Sequence, residues 1–193
     1  MSFYSIAPFI QTFYPEYYSI ESYPVNECIA IRKVKEPWGI LGNFAPTPIF
    51  IDHVTFKTSE LLFQLMKFRD EEAVLAIFHS NNPKMTAKHF EKTHRREDWG
   101  RMIVDAMKFC LMRKYEQSEV FRAELERSKG MFIVEDETAR MRGRDADTWG
   151  AVLRGDEYVG PSLLGRLLME LRDNGKLEYT LPADALDFIN NLK

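Results

Sequence analysis

The chain has 193 residues, 45% of them hydrophobic, which is enough to build one sizeable core and a single domain. Its 26 lysines and arginines are offset by 29 aspartates and glutamates, so the formal net charge is −3. This balance excludes the overall basic field on which non-specific nucleic-acid binders depend, although a local basic patch is compatible with it.

Two cysteines, Cys28 and Cys110, are widely separated and too few for a disulfide framework or a zinc cage. We therefore expect reduced thiols in a reducing compartment. The first basic residue is Arg32, and no apolar run approaches the roughly 18 residues that a membrane span requires. The sequence thus predicts neither a secretory leader nor a membrane helix and favours the cytoplasm.

Residues 1–24 are unusually aromatic and are predicted to form an irregular arm packed on the body of the domain. Eight aromatic side chains fall in this segment: Phe3, Tyr4, Phe9, Phe13, Tyr14, Tyr17, Tyr18 and Tyr23. Pro8, Pro15 and Pro24 are expected to interrupt any helix there. A partner-binding surface is the alternative, because exposed aromatic clusters favour interfaces.

Residues 28–34 and 131–135 are predicted strands, and residues 48–57 are predicted to form a short hairpin around Asp52 and His53, rich in β-branched and aromatic residues. The charged, glycine-containing stretch 138–147 is expected to be a loop.

Helices dominate the rest of the chain. Ser59 is predicted to cap a helix that runs to about Arg69, and Asn82 with Pro83 starts a helix that ends near Thr93. Further helices are expected at about 97–115, 118–127, 162–173 and 183–192. The pattern predicts an α+β fold, mostly helical, in which residues 25–193 form a single domain around a small β-sheet.

The helix opened by Ser59 carries a narrow polar stripe. At 100° per residue Glu60, Gln64 and Lys67 fall within an arc of about 60°, while apolar residues cover much of the remaining circumference. A thin polar stripe on a buried helix is suited to lining a cleft, because buried polar groups need partners. The alternative is an ordinary solvent face, on which Lys67 is a surface lysine.

Six segments match a family pattern in order and roughly in spacing. They are Gly39–Phe44 ("G-x-L-S-N-F"), Thr58–Phe68 ("S-S-E-x-x-[FY]-Q-x-x-K"), Trp99 before a long helix, Arg113–Tyr115 ("x-K-F"), Asp147–Gly150 ("D-x-W-G") and Gly160–Arg172 ("G-x-N-x-L-G-x-x-L-M-x-x-R"). Together they resemble the NADAR (NAD and ADP-ribose) superfamily and, within it, the YbiA-like N-glycosidase family. The resemblance spans about residues 36–173 and implies the YbiA-like α+β fold.

Three positions depart from the family pattern. Gly42 stands where a serine is usual, Ser162 where an asparagine is usual, and Ala151 where many members carry a second glycine. The first two are expected to alter hydrogen bonds to a ligand. Residues before about 25 lie outside the resemblance.

The resemblance implies an enzyme that hydrolyses the C1–N bond of a ribosylated base, such as a ribosylaminopyrimidine phosphate of the riboflavin-precursor type or ADP-ribosylated guanine. Glu60 and Asp147 are the expected catalytic carboxylates, because such bonds break through an oxocarbenium-like transition state that a carboxylate stabilises. Asp147 has a structural alternative as an Asx-turn residue. Lys67 has two functional alternatives: a phosphate ligand, or a nucleophile that attacks ribose C1.

Eight further residues are expected to bind the substrate: Gly42, Asn43, Phe44, Gln64, Trp99, Trp149, Gly150 and Arg172. Phe44 and the tryptophans would stack on a base, although Trp99 also fits a plain core position. Asn43 would bond a ribose hydroxyl or base edge, with a turn-forming role as its alternative. Arg172 would contact phosphate unless it is a structural residue of its helix end.

Neither a metal nor a cofactor is implied, since the four histidines lack ligand spacing and no phosphate-binding glycine motif is present. A basic cluster between Lys84 and Arg96 would suit an ADP-ribosylated nucleic acid, but a solvated helix face is the favoured explanation. Two rival functions stay open. One is a sensor that binds NAD or ADP-ribose without turnover, and the other is an interaction protein built on the aromatic arm.

Overall fold

The structure is a computed structural model that describes residues 6–192. The chain divides into two compact units. The first comprises the residues up to Gly42 together with Val120–Leu177, and the second comprises Asn43–Glu119 together with the residues from Glu178 onward. Along the described residues, no helix combines the length and the apolar character that crossing a membrane demands.

The described residues form helices and strands in a mixed order, with one run of five successive helices in the middle of the chain. The helices are α1 (Ala7–Phe13), α2 (Ser59–Leu65), α3 (Glu71–Phe78), α4 (Pro83–Phe90), α5 (Trp99–Gln117), α6 (Glu119–Arg127), α7 (Thr138–Met141) and α8 (Leu163–Asn174). The strands are β1 (Glu21–Pro24), β2 (Cys28–Ile31), β3 (Ile49–Ile51), β4 (Val54–Phe56), β5 (Phe132–Glu135), β6 (Val152–Arg154) and β7 (Glu157–Gly160). Short 3-10 turns occupy Pro15–Tyr17, Val25–Glu27, Gly39–Leu41 and Asp187–Leu192.

Three small sheets take the place of the single sheet that was expected. In the first unit β1, β7 and β6 form an antiparallel sheet in that order, and β2 pairs in parallel with β5, on which α8 packs. The second unit contains the predicted hairpin, in which β3 pairs with β4 around Asp52. The mostly helical α+β class is confirmed.

The start of the chain is more regular than predicted. The expectation that prolines prevent a helix was wrong for α1, because Pro8 occupies its first turn, where no backbone N–H is needed. Further along, the Tyr17 hydroxyl donates to Glu170 on α8 at 2.8 Å, and burial and that carboxylate raise the pKa of Tyr17. Phe3 and Tyr4 lie outside the described residues.

Several helices differ from the predictions at their ends or were missed. Asp70 caps the unpredicted α3 by accepting from the Ala73 N–H at 3.0 Å. The predicted start of α4 is confirmed, since the Asn82 side chain accepts from the Met85 N–H at 3.2 Å. The expected loop at 138–147 contains α7, the hairpin β6–β7 was not predicted, and the expected helix at 183–192 is only the 3-10 turn.

The predicted helix 59–69 ends early, so Lys67 is not on it. After Leu65 the chain tightens into turns in which the Lys67 and Phe68 N–H groups bond the Gln64 and Leu65 carbonyls. Phe68 then bridges to Arg95, and the Arg96 N–H donates to the Lys67 carbonyl at 2.9 Å. This long-range backbone pairing replaces the helical hydrogen bonds that a continued α2 would make.

Candidate active site

The start of α2 is anchored to the loop that carries Asn43. Thr58, rather than the predicted Ser59, caps the helix and accepts from the Leu61 N–H at 3.1 Å. The Ser59 hydroxyl bonds Asn43 at 3.2 Å, and the Glu60 N–H donates to the Asn43 carbonyl at 2.9 Å. The Asn43 side chain itself donates to Met107 Sδ at 3.3 Å. Asn43 therefore positions Glu60 through the backbone.

Glu60 and Gln64 form a buried pair one helical turn apart. Their residues are only 5% and 3% exposed, and Gln64 Nε2 donates to Glu60 Oε1 at 2.8 Å. That bond fixes the orientation of the amide, because the opposite orientation would face the amide oxygen to a carboxylate. Gln64 Oε1 is buried, and no donor among residues 6–192 reaches it. The pair thus retains an acceptor that a ligand hydroxyl or N–H can fill.

Lys67 lies beside this pair in a largely apolar setting. Its Nζ is 2.6 Å from Glu91 Oε1 and 5.7 Å from the ring centroids of both Phe63 and Trp99. Burial lowers the pKa of the Lys67 ammonium, while Glu91 and then Glu60 act to raise it. Lys67 is therefore a buried, paired lysine, and the surface-lysine interpretation was wrong.

The two aromatic residues of the second unit that were expected to stack on a base differ in exposure. Trp99 is 2% exposed and packs against Phe63 at a centroid distance of 5.3 Å, so it is a core residue that presents almost no surface to a base. Phe44 is 46% exposed, and Lys84 Nζ lies 5.6 Å from its ring centroid. Of these two residues, only Phe44 has a ring exposed enough for a base to stack on it.

In the first unit, Asp147 belongs to a tightly bonded turn. Its Oδ1 accepts from the Thr148 N–H at 2.8 Å, and its own N–H donates to Glu137 Oε2 at 3.0 Å. The other oxygen of Glu137 pairs with Arg140, and burial raises the pKa of Glu137 despite that guanidinium. The Asp147 side chain keeps 32% of its surface exposed.

Neighbouring residues of the first unit also have structural explanations. Gly150 is required by close packing, since a Cβ there would lie 2.4 Å from Glu137 Cγ. Trp149 is half-buried, and its carbonyl accepts from the Leu164 N–H at the start of α8. A Cβ on Gly42 already lies 3.2 Å from the Ile31 side chain, so the serine usual in the family would crowd this position.

The Arg172 guanidinium is hydrogen-bonded and ion-paired to other groups of the protein. It donates to the carbonyls of Ser128 and Met131 at 3.0 and 2.8 Å and pairs with Asp173. These bonds hold α8 to the turn before β5, as expected for a structural arginine at a helix end, and the phosphate-binding role of Arg172 stays a prediction.

Two charged side chains that contact the predicted site residues, Glu91 and Glu137, escaped the sequence analysis, and Lys84 entered it only as part of the basic cluster. Glu91 follows α4 and Lys84 lies in its first turn, so only the fold brings them near Lys67. The basic cluster is mostly exposed, but Arg96 is buried and pairs with Asp98 and Asp184. Within the part of the chain that the structure describes, no cluster of three His, Cys, Asp or Glu residues could hold a metal ion.

Comparison with known proteins identifies the family. The profile of the NADAR domain matches residues 31–174, and the chain belongs to the NADAR domain family. The "N-glycosidase YbiA" of Escherichia coli strain K12 is 32% identical over 152 residues, which cover 78% of this chain and 89% of the relative. The protein of the same name from Shigella boydii serotype 4 matches equally well.

A solved structure agrees with this assignment. The NMR structure of E. coli YbiA matches with a TM-score of 0.60 at 30% identity, covering 76% of this chain and 83% of that one. The predicted family and its fold are therefore confirmed.

Proposed function

We propose that this protein is a cytoplasmic N-glycosidase that hydrolyses the C1–N bond between ribose and a base. The observation that carries the proposal is the buried Glu60–Gln64 pair, with its unfilled acceptor, in a chain whose relatives are named N-glycosidases. Substrates of the proposed class are ribosylaminopyrimidine phosphates and ADP-ribosylated guanine. Exposed lysines on α4, Lys84 and Lys88, would also suit a guanine within a nucleic acid.

Glu60 is the proposed carboxylate at the reaction centre. It lies in the first turn of α2, where the helix dipole favours its anion, and the Gln64 amide donates to that anion. An anion fixed in a buried site stabilises the positive charge that develops on ribose as the C1–N bond breaks. Gln64 Oε1 would accept from a ribose hydroxyl and so orient the sugar.

Asp147 is a second proposed catalytic carboxylate, with Trp149 beside it. Its exposed surface leaves a carboxylate oxygen available for orienting water, even though Oδ1 is engaged by Thr148. Phe44 offers a ring face on which a base can stack, and Lys84 beside that ring adds a positive charge for a phosphate. Asn43 acts by holding Glu60 in place.

The two charge states of Lys67 have different uses. The ammonium attracts phosphate, whereas the neutral amine can attack ribose C1 as the C1–N bond breaks and the base leaves with a proton, and water then releases the sugar from the lysine. Burial favours the neutral amine and Glu91 favours the ammonium. The pH profile of catalysis separates the two roles.

A chromatographic screen for free-base release tests the proposed function. The wild type should release base from at least one ribosylated compound, and Glu60→Gln should lose about 100-fold or more in kcat while remaining folded. Glu72→Gln, an exposed carboxylate in the first turn of α3, is the matched control and should keep full activity. An undiminished rate in Glu60→Gln would remove Glu60 from the mechanism.

A sensor that binds ADP-ribose without turnover is the second candidate. The observation that favours it is Ser162, which replaces the family's asparagine in a left-handed conformation, and whose buried Oγ has no partner among the described residues. Calorimetric binding of ADP-ribose, combined with no base release from any compound in the screen, would select the sensor.

A further inference from the structure

Glu91 is the polar side chain in direct contact with the Lys67 amine. The two side chains are 2.6 Å apart and only 16% and 11% exposed. From this geometry we infer that Glu91 is a positioning residue of the proposed glycosidase site: it holds the Lys67 amine in place and sets its charge state. The inference rests on the proposed function for its catalytic consequence, but not for its effect on Lys67.

Lys67 depends on such a partner because its own helix does not orient it. α2 has ended before Lys67, and its backbone is held by the Arg96 N–H. A lysine side chain has four flexible carbons and loses considerable rotamer freedom when it is fixed. The rings of Phe63 and Trp99 flank the Lys67 side chain. The hydrogen bond to Glu91 fixes the position of Lys67 Nζ.

The backbone of Glu91 is itself fixed by the fold, so its carboxylate can hold the Lys67 amine in place. It is the C-terminal cap of α4, and its N–H donates to the Ala87 carbonyl at 3.0 Å. α4 packs against both α2 and α3. The carboxylate is thus carried by a fixed helix end rather than by a free loop.

Among the charged groups that face Lys67, Glu91 has the largest effect on the protonation of the Lys67 amine. Glu60 acts from α2, Lys84 from α4 and Glu91 from the residue that follows α4, while α5 contributes the uncharged Trp99. Burial lowers the pKa of Lys67, and Glu91 raises that pKa more strongly than Glu60 does. Lys84 lowers it further. Removing the Glu91 charge therefore leaves burial less opposed, and the pKa of Lys67 must fall.

A direct titration of Lys67 tests this first step without any substrate. NMR of isotope-labelled lysine side chains should show the pKa of Lys67 falling by about one unit or more in Glu91→Gln. Lys67→Met identifies the signal, and Lys114, whose pKa burial lowers to about 7, is an internal reference that should not move. Glu72→Gln should leave both lysines unchanged. An unchanged Lys67 pKa in folded Glu91→Gln would overturn the inference.

The pH profile of base release tests the catalytic step. In Glu91→Gln one limb of the kcat profile should move to lower pH: the acidic limb if the neutral amine acts, the basic limb if the ammonium acts. Glu91→Asp, which keeps the charge, should restore the wild-type limb. A lower rate with both limbs unmoved would indicate a merely structural role and contradict the inference. If the wild type releases no base at all, the proposed function fails while the NMR titration still decides the role of Glu91.

Discussion

The start of α2 and the turn from Glu137 to Gly150 both contain buried carboxylates, but they use them differently. In the turn, Glu137 is engaged by Arg140 and by the Asp147 N–H, and Asp147 by the Thr148 N–H. At α2, Glu60 bonds Gln64, whose own oxygen lacks a donor among the described residues. Spare hydrogen-bonding capacity, rather than the presence of a carboxylate, therefore makes the α2 pair the stronger candidate for direct contact with a ligand.

The turn should be the more sensitive region for stability. Gly150→Ala places a Cβ 2.4 Å from Glu137 Cγ and 2.6 Å from the Glu135 carbonyl oxygen, so backbone must shift. We expect a loss of about 3 kcal/mol in the free energy of unfolding, measured by denaturant titration. Gly143→Asn is the control, because Gly143 has open space and a positive φ that asparagine tolerates. A loss below about 1 kcal/mol for Gly150→Ala would refute the close packing described here.

The α2 region should be sensitive in activity instead. Gln64→Met preserves length and burial but removes both the donor to Glu60 and the unfilled acceptor. We expect kcat/KM to fall about 10- to 100-fold, with a loss of about 1 to 2 kcal/mol in stability, smaller than that of Gly150→Ala, because the buried Glu60 carboxylate loses its donor. Steady-state base release and circular dichroism measure the two quantities. Full activity would show that no substrate group uses this acceptor.

Asp147 decides whether the turn also takes part in catalysis. Asp147→Asn can keep the bond from the Thr148 N–H, and it loses only a 3.8 Å contact with exposed Arg140. We expect the folded state to be retained and kcat to fall about tenfold or more. Reduced stability with unchanged kcat would assign Asp147 to the turn alone.

The smallest effect concerns the pH dependence of stability. Because burial raises the pKa of Glu137 in the folded state, the folded protein binds more protons than the unfolded chain between the ordinary and the raised value. This contribution to stability is present at low pH and is lost as the pH rises through the folded pKa. Relative to Glu137→Gln, the wild type should therefore lose stability in thermal unfolding experiments as the pH rises above the ordinary range of a glutamate. A difference that is constant with pH, or that slopes the other way, would contradict this.

Local sequence signals predicted those parts of the fold that depend on neighbouring residues. The β3–β4 hairpin and the Asn82 cap follow from turn and capping chemistry, and the burial of α2 follows from its apolar residues. The C-terminal end of α2 could not be predicted from local signals. Lys67 lies outside the helix because the backbone there pairs with residues 95–96.

The candidate site also combines contacts that local sequence predicts with contacts that depend on distant segments. Glu60 and Gln64 are one turn apart, so helix geometry alone places them together. Glu91 is far from Lys67 in sequence, and no local pattern connects the two residues. Arg172 fits a family motif, yet the carbonyls that occupy it come from a distant turn. Contacts between distant segments therefore place Glu91 and Arg172, which local sequence patterns could not do.

The most direct measurement is an experimental structure of Glu60→Gln bound to an intact ribosylated compound that the wild type cleaves. We predict that a ribose hydroxyl lies within hydrogen-bond distance of Gln64 Oε1, the acceptor that no donor among the described residues reaches. A bound substrate whose sugar lies elsewhere, with that oxygen still without a donor, would contradict the assignment of this pair to the active site.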